Sequence, residues 1–195
     1  MIEKRFFKEE IPYFSTEKYH ADREAAHHLE QEEHNPRLLK AFELIKSLPN
    51  VKSVVDFGCG DGGLLSLLKD KYISYGCDFC PDNVKYANEV RKVNVYHENF
   101  TNNINSLIYD LVVMTEVLEH MAEPHKFLKD LSEQSEVKYI ICSSPWNETE
   151  LETAGGHVWA FDREAYAKMI TDAGWTIISH EDVVPRFQII LAKRI

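Results

Sequence analysis

The most constraining feature of the sequence is a run of glycines directly after a short apolar segment. Residues Ser53–Phe57 have the composition of a buried strand, and Gly58, Gly60 and Gly63 follow before a leucine-rich stretch. Glycine has no Cβ, so a turn of this kind lets a ligand approach the backbone closely between a strand and a helix. The sequence therefore predicts a strand–turn–helix unit that binds a cofactor at its turn.

The rest of the chain alternates between strand-like and helix-like segments separated by Gly, Pro and Asn. Further strands are predicted at Ile73–Cys77, Val93–Tyr96, Tyr109–Met114, Tyr139–Cys142, Trp175–Ile178 and Phe187–Ala192, and helices from Asn35, around Pro124–Leu131 and over Asp162–Ala173. This alternation is typical of α/β proteins with a largely parallel sheet. The last two strands, joined through Pro185, are expected to be antiparallel, and 195 residues are expected to form one compact domain.

The glycine spacing also fits the dinucleotide-binding pattern G-x-G-x-x-G, with Asp78 about 20 residues downstream. A nicotinamide-dependent dehydrogenase is therefore one hypothesis. Asp56 argues against it, because a carboxylate at the end of the first strand would repel a pyrophosphate. The same carboxylate favours S-adenosylmethionine, which carries an ammonium and a sulfonium. The alternative is that Asp56 only caps the following turn.

The sequence Val54-Val55-Asp56-Phe57-Gly58-Cys59-Gly60-Asp61-Gly62 resembles the first motif of class I S-adenosylmethionine-dependent methyltransferases. The resemblance extends from Val51 to the C-terminus. It implies an α/β fold with a doubly wound, mostly parallel, seven-stranded Rossmann-like sheet whose terminal strand is antiparallel. It further implies a methyltransferase domain at residues 51–195. Residues 1–50 lie outside the resemblance and are expected to form an N-terminal helical segment that covers the active site.

The same resemblance implies the residues that bind the cofactor. Gly58, Cys59 and Gly60 would contact the methionine portion, Asp78 the ribose hydroxyls and Phe79 the adenine ring. Asn99 would read the adenine amino group, although Glu98 competes with it for this role. Glu116 would line the same pocket.

A cluster of acidic residues and a histidine follows the fourth predicted strand, in the sequence Thr115-Glu116-Val117-Leu118-Glu119-His120. On a helical turn, Glu116, Glu119 and His120 would share one face. They begin where open α/β sheets bind their ligands. His157, in a later loop, can lie over the same place, so His120 and His157, with Glu116, are the candidate catalytic residues.

This cluster is similar to the E-x-x-E-H motif of two metal-dependent groups, the small-RNA 3′-end 2′-O-methyltransferases and the ubiquinone-pathway O-methyltransferases. The similarity implies a divalent metal held by Glu116, Glu119, His120 and His157. Such mixed ligands suit manganese, iron or zinc. In methyltransferases without a metal, a similar segment only lines the pocket, so both interpretations stay open.

The N-terminal stretch contains His20, Arg23, Glu24 and His27 at helical spacing. One hypothesis is that His20, Arg23 and His27 bind an acidic or hydroxylated acceptor, and the other is that they form a solvated helix face. Trp146 and Trp159 are candidates for an apolar wall around the acceptor, unless they belong to the ordinary core.

Charge and hydropathy limit the partners that we expect. The net charge of −10 disfavours nucleic acid, and no apolar run approaches the length of a bilayer span. The N-terminus lacks the pattern of a secretory signal, so a cytoplasmic protein is expected. The sequence thus predicts a methyltransferase that transfers the methyl group to a hydroxyl of a small-molecule acceptor. An RNA 3′-end 2′-O-methyltransferase, a dehydrogenase and a non-catalytic S-adenosylmethionine-binding module are the alternatives.

Overall fold

A computed structural model describes residues 18–19, 23–102, 104, 107–146, 156–183 and 186–195. The described helices are α1 (Asn35–Ser47), α2 (Gly63–Leu68), α3 (Pro81–Tyr86), α4 (Pro124–Gln134) and α5 (Arg163–Asp172). The strands are β1 (Ser53–Phe57), β2 (Ile73–Asp78), β3 (Val95–His97), β4 (Leu111–Thr115), β5 (Tyr139–Pro145), β6 (Trp175–Val183) and β7 (Phe187–Arg194). None of the helices in these residues is long and apolar enough to cross a bilayer.

The seven strands form one sheet in the order β3-β2-β1-β4-β5-β7-β6. Strands β1 to β5 are parallel to one another, whereas β7 is antiparallel to both β5 and β6. The chain order reverses between β1 and β4, and this is where open α/β sheets form a ligand crevice. The predicted fold, a doubly wound and mostly parallel seven-stranded sheet with an antiparallel terminal strand, is confirmed.

Both faces of the sheet are covered, because successive side chains of a strand point to opposite sides. Val54 and Val113 belong to an apolar cluster with helices α1 and α2. Val55 and Met114 belong to the opposite cluster with helices α4 and α5. The central strands are therefore buried on both faces, and their accessible polar groups lie at the strand ends.

Most strand boundaries differ from the sequence prediction by one to five residues, and two of them, in β3 and β6, have a clear physical reason. Strand β3 begins at Val95 rather than Val93, because the helical backbone continues to Arg91 and the Val93 N–H donates to the Ala87 carbonyl. Strand β6 reaches Val183 rather than ending at Ile178, because it pairs with β7 over its length. Tertiary pairing and helix capping, which local composition does not encode, decide both limits.

The N-terminal stretch confirms one predicted helix and corrects another interpretation. Helix α1 begins at Asn35, with Pro36 in its first turn as predicted. Residues 23–34 form turns and irregular backbone, and His27 has a positive φ of 49°. The helical face predicted for Arg23, Glu24 and His27 is therefore wrong, and His20 lies outside the described residues.

Candidate cofactor and acceptor site

A cavity of about 1010 Å³ opens at the carboxyl ends of the central strands. Its lining includes most of the residues that the sequence singled out: Asp56, Gly58, Cys59, Gly60, Asp78, Phe79, Asn99, Glu116, His120 and His157. Residues of the N-terminal stretch, such as Arg23 and Arg37, complete the wall. One cavity thus joins the glycine turn to His120, which follows β4, and His157, which follows β5.

The glycine turn has the backbone that only glycine adopts without strain. Gly58 and Gly60 have positive φ angles of 65° and 55°. A Cβ on Gly58 would lie 2.8 Å from Cγ2 of Val117, which is too close for a carbon contact. The Gly60 N–H donates to the Asp78 carboxylate at 2.9 Å. The turn is therefore fixed between β1, β2 and the segment after β4.

Asp56 has a buried carboxyl group whose Oδ1 makes no hydrogen bond to the described residues. Burial raises the pKa of Asp56 to about 8, and Asp78 adds to the rise while Arg37 opposes it. An orphaned buried carboxylate at the wall of a cavity is a strong acceptor for a cation. The residues present therefore fit a cofactor with an ammonium group.

Asp78 ends strand β2 with its carboxylate turned toward the glycine turn. Oδ2 accepts the Gly60 N–H, and Oδ1 accepts the Cys80 N–H at 2.8 Å and the Asn83 side-chain amide at 3.1 Å. These bonds hold the carboxylate in place at the edge of the cavity. It has the position and chemistry to accept hydrogen bonds from vicinal hydroxyls.

Phe79 and Asn99, the two residues predicted to contact adenine, both line the cavity. The Phe79 ring is nearly parallel to that of Phe100, at an angle of 8° and a centroid distance of 6.1 Å. Asn99 lines the cavity and accepts hydrogen bonds from Thr101, whereas Glu98 is exposed. Of the two competitors that follow β3, Asn99 is the one that borders the cavity.

Arg37 is a cavity residue that the sequence analysis missed. It lies on α1 with only 1% of its surface exposed, and its Nη1 is 3.7 Å from Oε1 of Glu116. Its guanidinium lies over the Phe187 ring, and Nη2 is 3.2 Å from Nδ1 of His28. The signal was present, because Arg37 falls on the same helical stripe as Ala41 and Ile45, where an apolar residue is expected.

Two histidines of the N-terminal stretch stack beside Arg37. The rings of His28 and His34 are 4.4 Å apart at an angle of 29°, and both residues line the cavity. Burial, followed by the charge of Arg37, lowers the pKa of His28 to about 3 and also lowers that of His34. The His28 imidazole is therefore neutral near pH 7, and Arg37 supplies a positive charge beside it.

The Glu-His cluster after β4 is arranged differently from the predicted helical face. Only Leu118–His120 form a helical turn, of the 3₁₀ type, while Glu116 precedes it with a positive φ of 61°. The Glu116 carboxylate consequently points to Ser143, whose hydroxyl donates to Oε1 at 2.9 Å. A shared helical face for Glu116, Glu119 and His120 is therefore wrong.

Three of the four predicted metal ligands do come together. One ligand atom from each of Glu119, His120 and His157 lies within 4.8 Å of the others. We call these three residues the Glu119 cluster. The His120 and His157 rings meet edge to face with centroids 4.8 Å apart, and Glu119 is fully buried. A carboxylate with two imidazoles can hold a divalent cation or position a proton acceptor.

The remaining residues proposed for the acceptor fall into two groups. Arg23 and Trp146 line the cavity. His27 lies instead against Asp61, with Nδ1 3.2 Å from Oδ2. Trp159 is buried in the core, where its indole N–H donates to the Met121 carbonyl. An apolar wall of two tryptophans is therefore wrong, because of the two only Trp146 lines the cavity.

Comparison with known proteins agrees with this geometry. The family model described as a methyltransferase domain matches residues 25–180. No curated protein sequence matches the chain. Solved structures with the same fold are numerous, and all those compared below share less than 25% sequence identity, so they show the fold alone.

Three of these structures illustrate the range of the fold. The N-methyltransferase NodS from Bradyrhizobium japonicum WM9, in complex with S-adenosylhomocysteine, has a TM-score of 0.70 and 14% identity over 93% of this chain and 98% of its own. The methyltransferase domain of bacterial CtHen1 gives 0.65 and 22%, over 82% and 98%. Magnesium protoporphyrin IX methyltransferase from Synechocystis PCC 6803 gives 0.63 and 19%, over 84% and 85%.

Fold, cavity and family model thus agree. The orphaned carboxylate beside the glycine turn fits the cationic cofactor, and the family model covers well over half of the chain. The chain therefore belongs to the methyltransferase-domain family and is an S-adenosylmethionine-dependent methyltransferase of class I.

Proposed function

We propose that this enzyme methylates a hydroxyl group of a small-molecule acceptor beside the Glu119 cluster. The observation that carries the proposal is the proximity of Glu119, His120 and His157, whose ligand atoms lie within 4.8 Å of one another. His120 and His157 share one cavity with the glycine turn. A hydroxyl must lose its proton to accept a methyl group, and a histidine can take that proton near neutral pH.

The tautomer of His120 supports this role. Its Nδ1 lies 3.2 Å from the Gly156 carbonyl oxygen, which can only accept a hydrogen bond. In the neutral ring, Nδ1 therefore carries the hydrogen and Nε2 carries the lone pair. A backbone carbonyl that fixes the tautomer in this way is the usual support for a histidine that serves as a base or a metal ligand.

A divalent metal is a second part of the proposal. Glu119, His120 and His157 would hold it, with a donor set suited to manganese, iron or zinc, and Glu116 would join only if its carboxylate left Ser143. When bound, such an ion lowers the pKa of a coordinated hydroxyl.

At the cofactor end of the cavity, we propose that two residues of opposite charge, Asp56 and Arg37, bind the methionine portion of the cofactor. Asp56 and Arg37 are buried beside the same cavity, and each has side-chain atoms without hydrogen-bond partners among the described residues. An amino acid has an ammonium and a carboxylate, which match this pair. Asp78, Phe79 and Asn99 would bind the ribose and adenine, with Gly58, Cys59 and Gly60 under the methionine chain.

Cavity walls from both parts of the chain support the proposed division into residues 1–50, which cover the active site, and residues 51–195, which carry it. Arg23, His28 and Arg37 border the cavity from the N-terminal side. In this site, the protein would contribute mainly by aligning the acceptor oxygen with the methyl group, which can supply several kcal/mol.

The test combines elemental analysis with transfer of labelled methyl from S-adenosylmethionine to a panel of phenols, hydroxy acids and amines. We expect bound metal, transfer to hydroxyl acceptors, and a loss of at least about 100-fold in rate for His157→Gln and His120→Gln. His180→Gln is the matched control, since His180 lies on β6 and bonds to Gln188. Transfer only to amines, unaffected by either histidine variant, would contradict the hydroxyl assignment.

Methylation of RNA 3′ ends is the second candidate, because Glu119 and His120 of the Glu119 cluster also belong to the E-x-x-E-H segment, which is similar to that of the small-RNA 3′-end 2′-O-methyltransferases. The net charge of −10 opposes it. An oligonucleotide with an intact 3′-terminal ribose, tested at low salt beside the small-molecule panel, distinguishes the two. Transfer to this RNA alone would replace the small-molecule proposal.

A further inference from the structure

The segment at residues 23–31 connects the N-terminal stretch to the cofactor side of the cavity. The Arg23 carbonyl accepts the Cys80 thiol at 2.8 Å, and the Ala26 N–H donates to the Asn83 side chain at 2.9 Å. His27 contacts Asp61, next to the glycine turn. These contacts reach across from the segment to the helix and turn that follow β2 and β1, so the segment closes one side of the cofactor space.

Both polar atoms of the Asn83 side-chain amide form hydrogen bonds in this connection. Its Oδ1 accepts the Ala26 N–H of the 23–31 segment, and its Nδ2 donates to Oδ1 of Asp78 at 3.1 Å. The residue is buried, with 7% of its surface exposed, and it lines the cavity. A single side chain therefore bonds to the backbone of the 23–31 segment on one side and to the Asp78 carboxylate on the other.

The Asp78 bond to Asn83 is the only one of its three that originates from a side chain among the described residues. The other two donors are the backbone N–H groups of Gly60 and Cys80. Those backbone donors are set by the turn and by the start of α3. The side-chain bond depends instead on how Asn83 is held, and the Ala26 N–H holds it.

We propose that Asn83 is a positioning residue that couples closure of the 23–31 segment to the orientation of Asp78. The inference rests on the proposed function in one respect, namely that Asp78 binds the cofactor ribose. Cofactor binding orders Asp78, Asp78 orders Asn83, and Asn83 holds the segment closed. Coupling of this kind is reciprocal, so loosening the segment weakens cofactor binding, and loss of the cofactor loosens the segment.

The chemistry of the amide makes the coupling testable. Aspartate at position 83 can still accept the Ala26 N–H, but its carboxylate cannot donate to Asp78 and repels it. Leucine has a similar size and makes neither bond. Asp82, one residue earlier and exposed, gives the matched control Asp82→Asn on the same helical turn.

The experiment measures S-adenosylhomocysteine affinity by calorimetry at pH 8 and hydrogen exchange of the 23–31 segment with and without this ligand. In the unaltered enzyme, the ligand should slow exchange in the segment. In Asn83→Leu and Asn83→Asp, we expect affinity to fall by about tenfold and the ligand-dependent protection to disappear. Asp82→Asn should change neither quantity.

Asn83→Asp keeps the test open if the leucine variant does not fold. Unchanged affinity or unchanged ligand-dependent protection in a folded Asn83 variant would overturn the coupling. Asp78→Asn separates this failure from that of the proposed function. If Asp78→Asn binds S-adenosylhomocysteine normally, the ribose assignment fails; if it binds weakly while the Asn83 variants bind normally, only the coupling fails.

Discussion

Two aspartates at opposite ends of the β1–β4 pair show how differently one side chain can be used. Asp110, just before β4, accepts hydrogen bonds from the Lys52 and Ser53 backbone, the Ser53 hydroxyl and the Lys138 ammonium. Although desolvation opposes it, this set of donors lowers the pKa of Asp110 to about 2. Asp56, at the other end, is buried with an orphaned oxygen, and burial raises its pKa to about 8.

The difference separates a structural carboxylate from one reserved for a ligand. Asp110 has its hydrogen-bond donors within the protein and connects the amino ends of two strands. The buried Oδ1 of Asp56 has no such donor among the described residues until a cation binds to it. The protein therefore gives up stability at Asp56 that a bound cofactor can restore.

Removal of the Asp56 charge should have the largest effect. In Asp56→Asn, we expect S-adenosylhomocysteine affinity to fall by about 100-fold, because the ligand ammonium loses its ionic partner. The thermal midpoint of the free protein should stay the same or rise, because a buried ionisable group is gone. Calorimetric titration and thermal unfolding check the two parts. A lower midpoint with normal affinity would make Asp56 a structural residue like Asp110.

The pH dependence of binding should come next in size. Free Asp56 is mostly protonated at pH 7, and a bound cation favours its ionised form, so binding should release a proton. Affinity for S-adenosylhomocysteine should then rise by up to about tenfold per pH unit between pH 6 and 8. Calorimetry in two buffers of different ionisation enthalpy counts the proton. Asp56→Asn should flatten the profile, and an equally steep profile in that variant would assign the proton elsewhere.

Loss of the Asp110 charge should have the opposite outcome to loss of the Asp56 charge, namely lower stability with unchanged cofactor affinity. Asp110→Asn removes a charge that several donors share, so the free energy of unfolding should fall by about 1–3 kcal/mol at pH 7. The contribution of Asp110 is present above its unfolded pKa of about 4 and is lost as pH falls toward 2. The variant should therefore lose less stability than the parent between pH 4 and 2. Denaturant unfolding measures both effects. Reduced cofactor affinity in Asp110→Asn would contradict the assignment of Asp110 as a purely structural carboxylate.

The smallest effect is expected at Lys138. Its ammonium is exposed and lies 2.7 Å from Asp110 Oδ1, where water and salt screen the pair. Lys138→Met should lower the free energy of unfolding by less than Asp110→Asn does. Added salt should make the loss in Lys138→Met smaller still, because it screens the ion pair. If the two variants were equally destabilised, the backbone donors would contribute little to Asp110.

Sequence reasoning succeeded where local pattern and function coincide. The glycine turn follows β1 directly, and Asp56 and Asp78 lie in the last two residues of β1 and β2, where strand ends can be recognised from apolar runs. The fold followed from the alternation of strands and helices together with the family resemblance. The same local reasoning placed His120 and His157 at the cavity that they do line.

The failures share one cause, which is that they depend on contacts between distant parts of the chain. Glu116 leaves the helical turn because its backbone is left-handed and Ser143 of β5 offers a hydroxyl. His27 turns to Asp61, and Arg37 is buried against Glu116 and Phe187. None of these partners is within the sequence window in which periodicity is read.

The position of β7 between β5 and β6 has a consequence for synthesis on the ribosome. Strand β6 is made before β7, yet it pairs with β7 and has no place beside β5. The outer edge of β5 therefore stays uncovered until residues 187–194 have emerged. During that interval the nascent chain exposes an unpaired strand edge, which is where a chaperone would bind and where premature association between chains would begin.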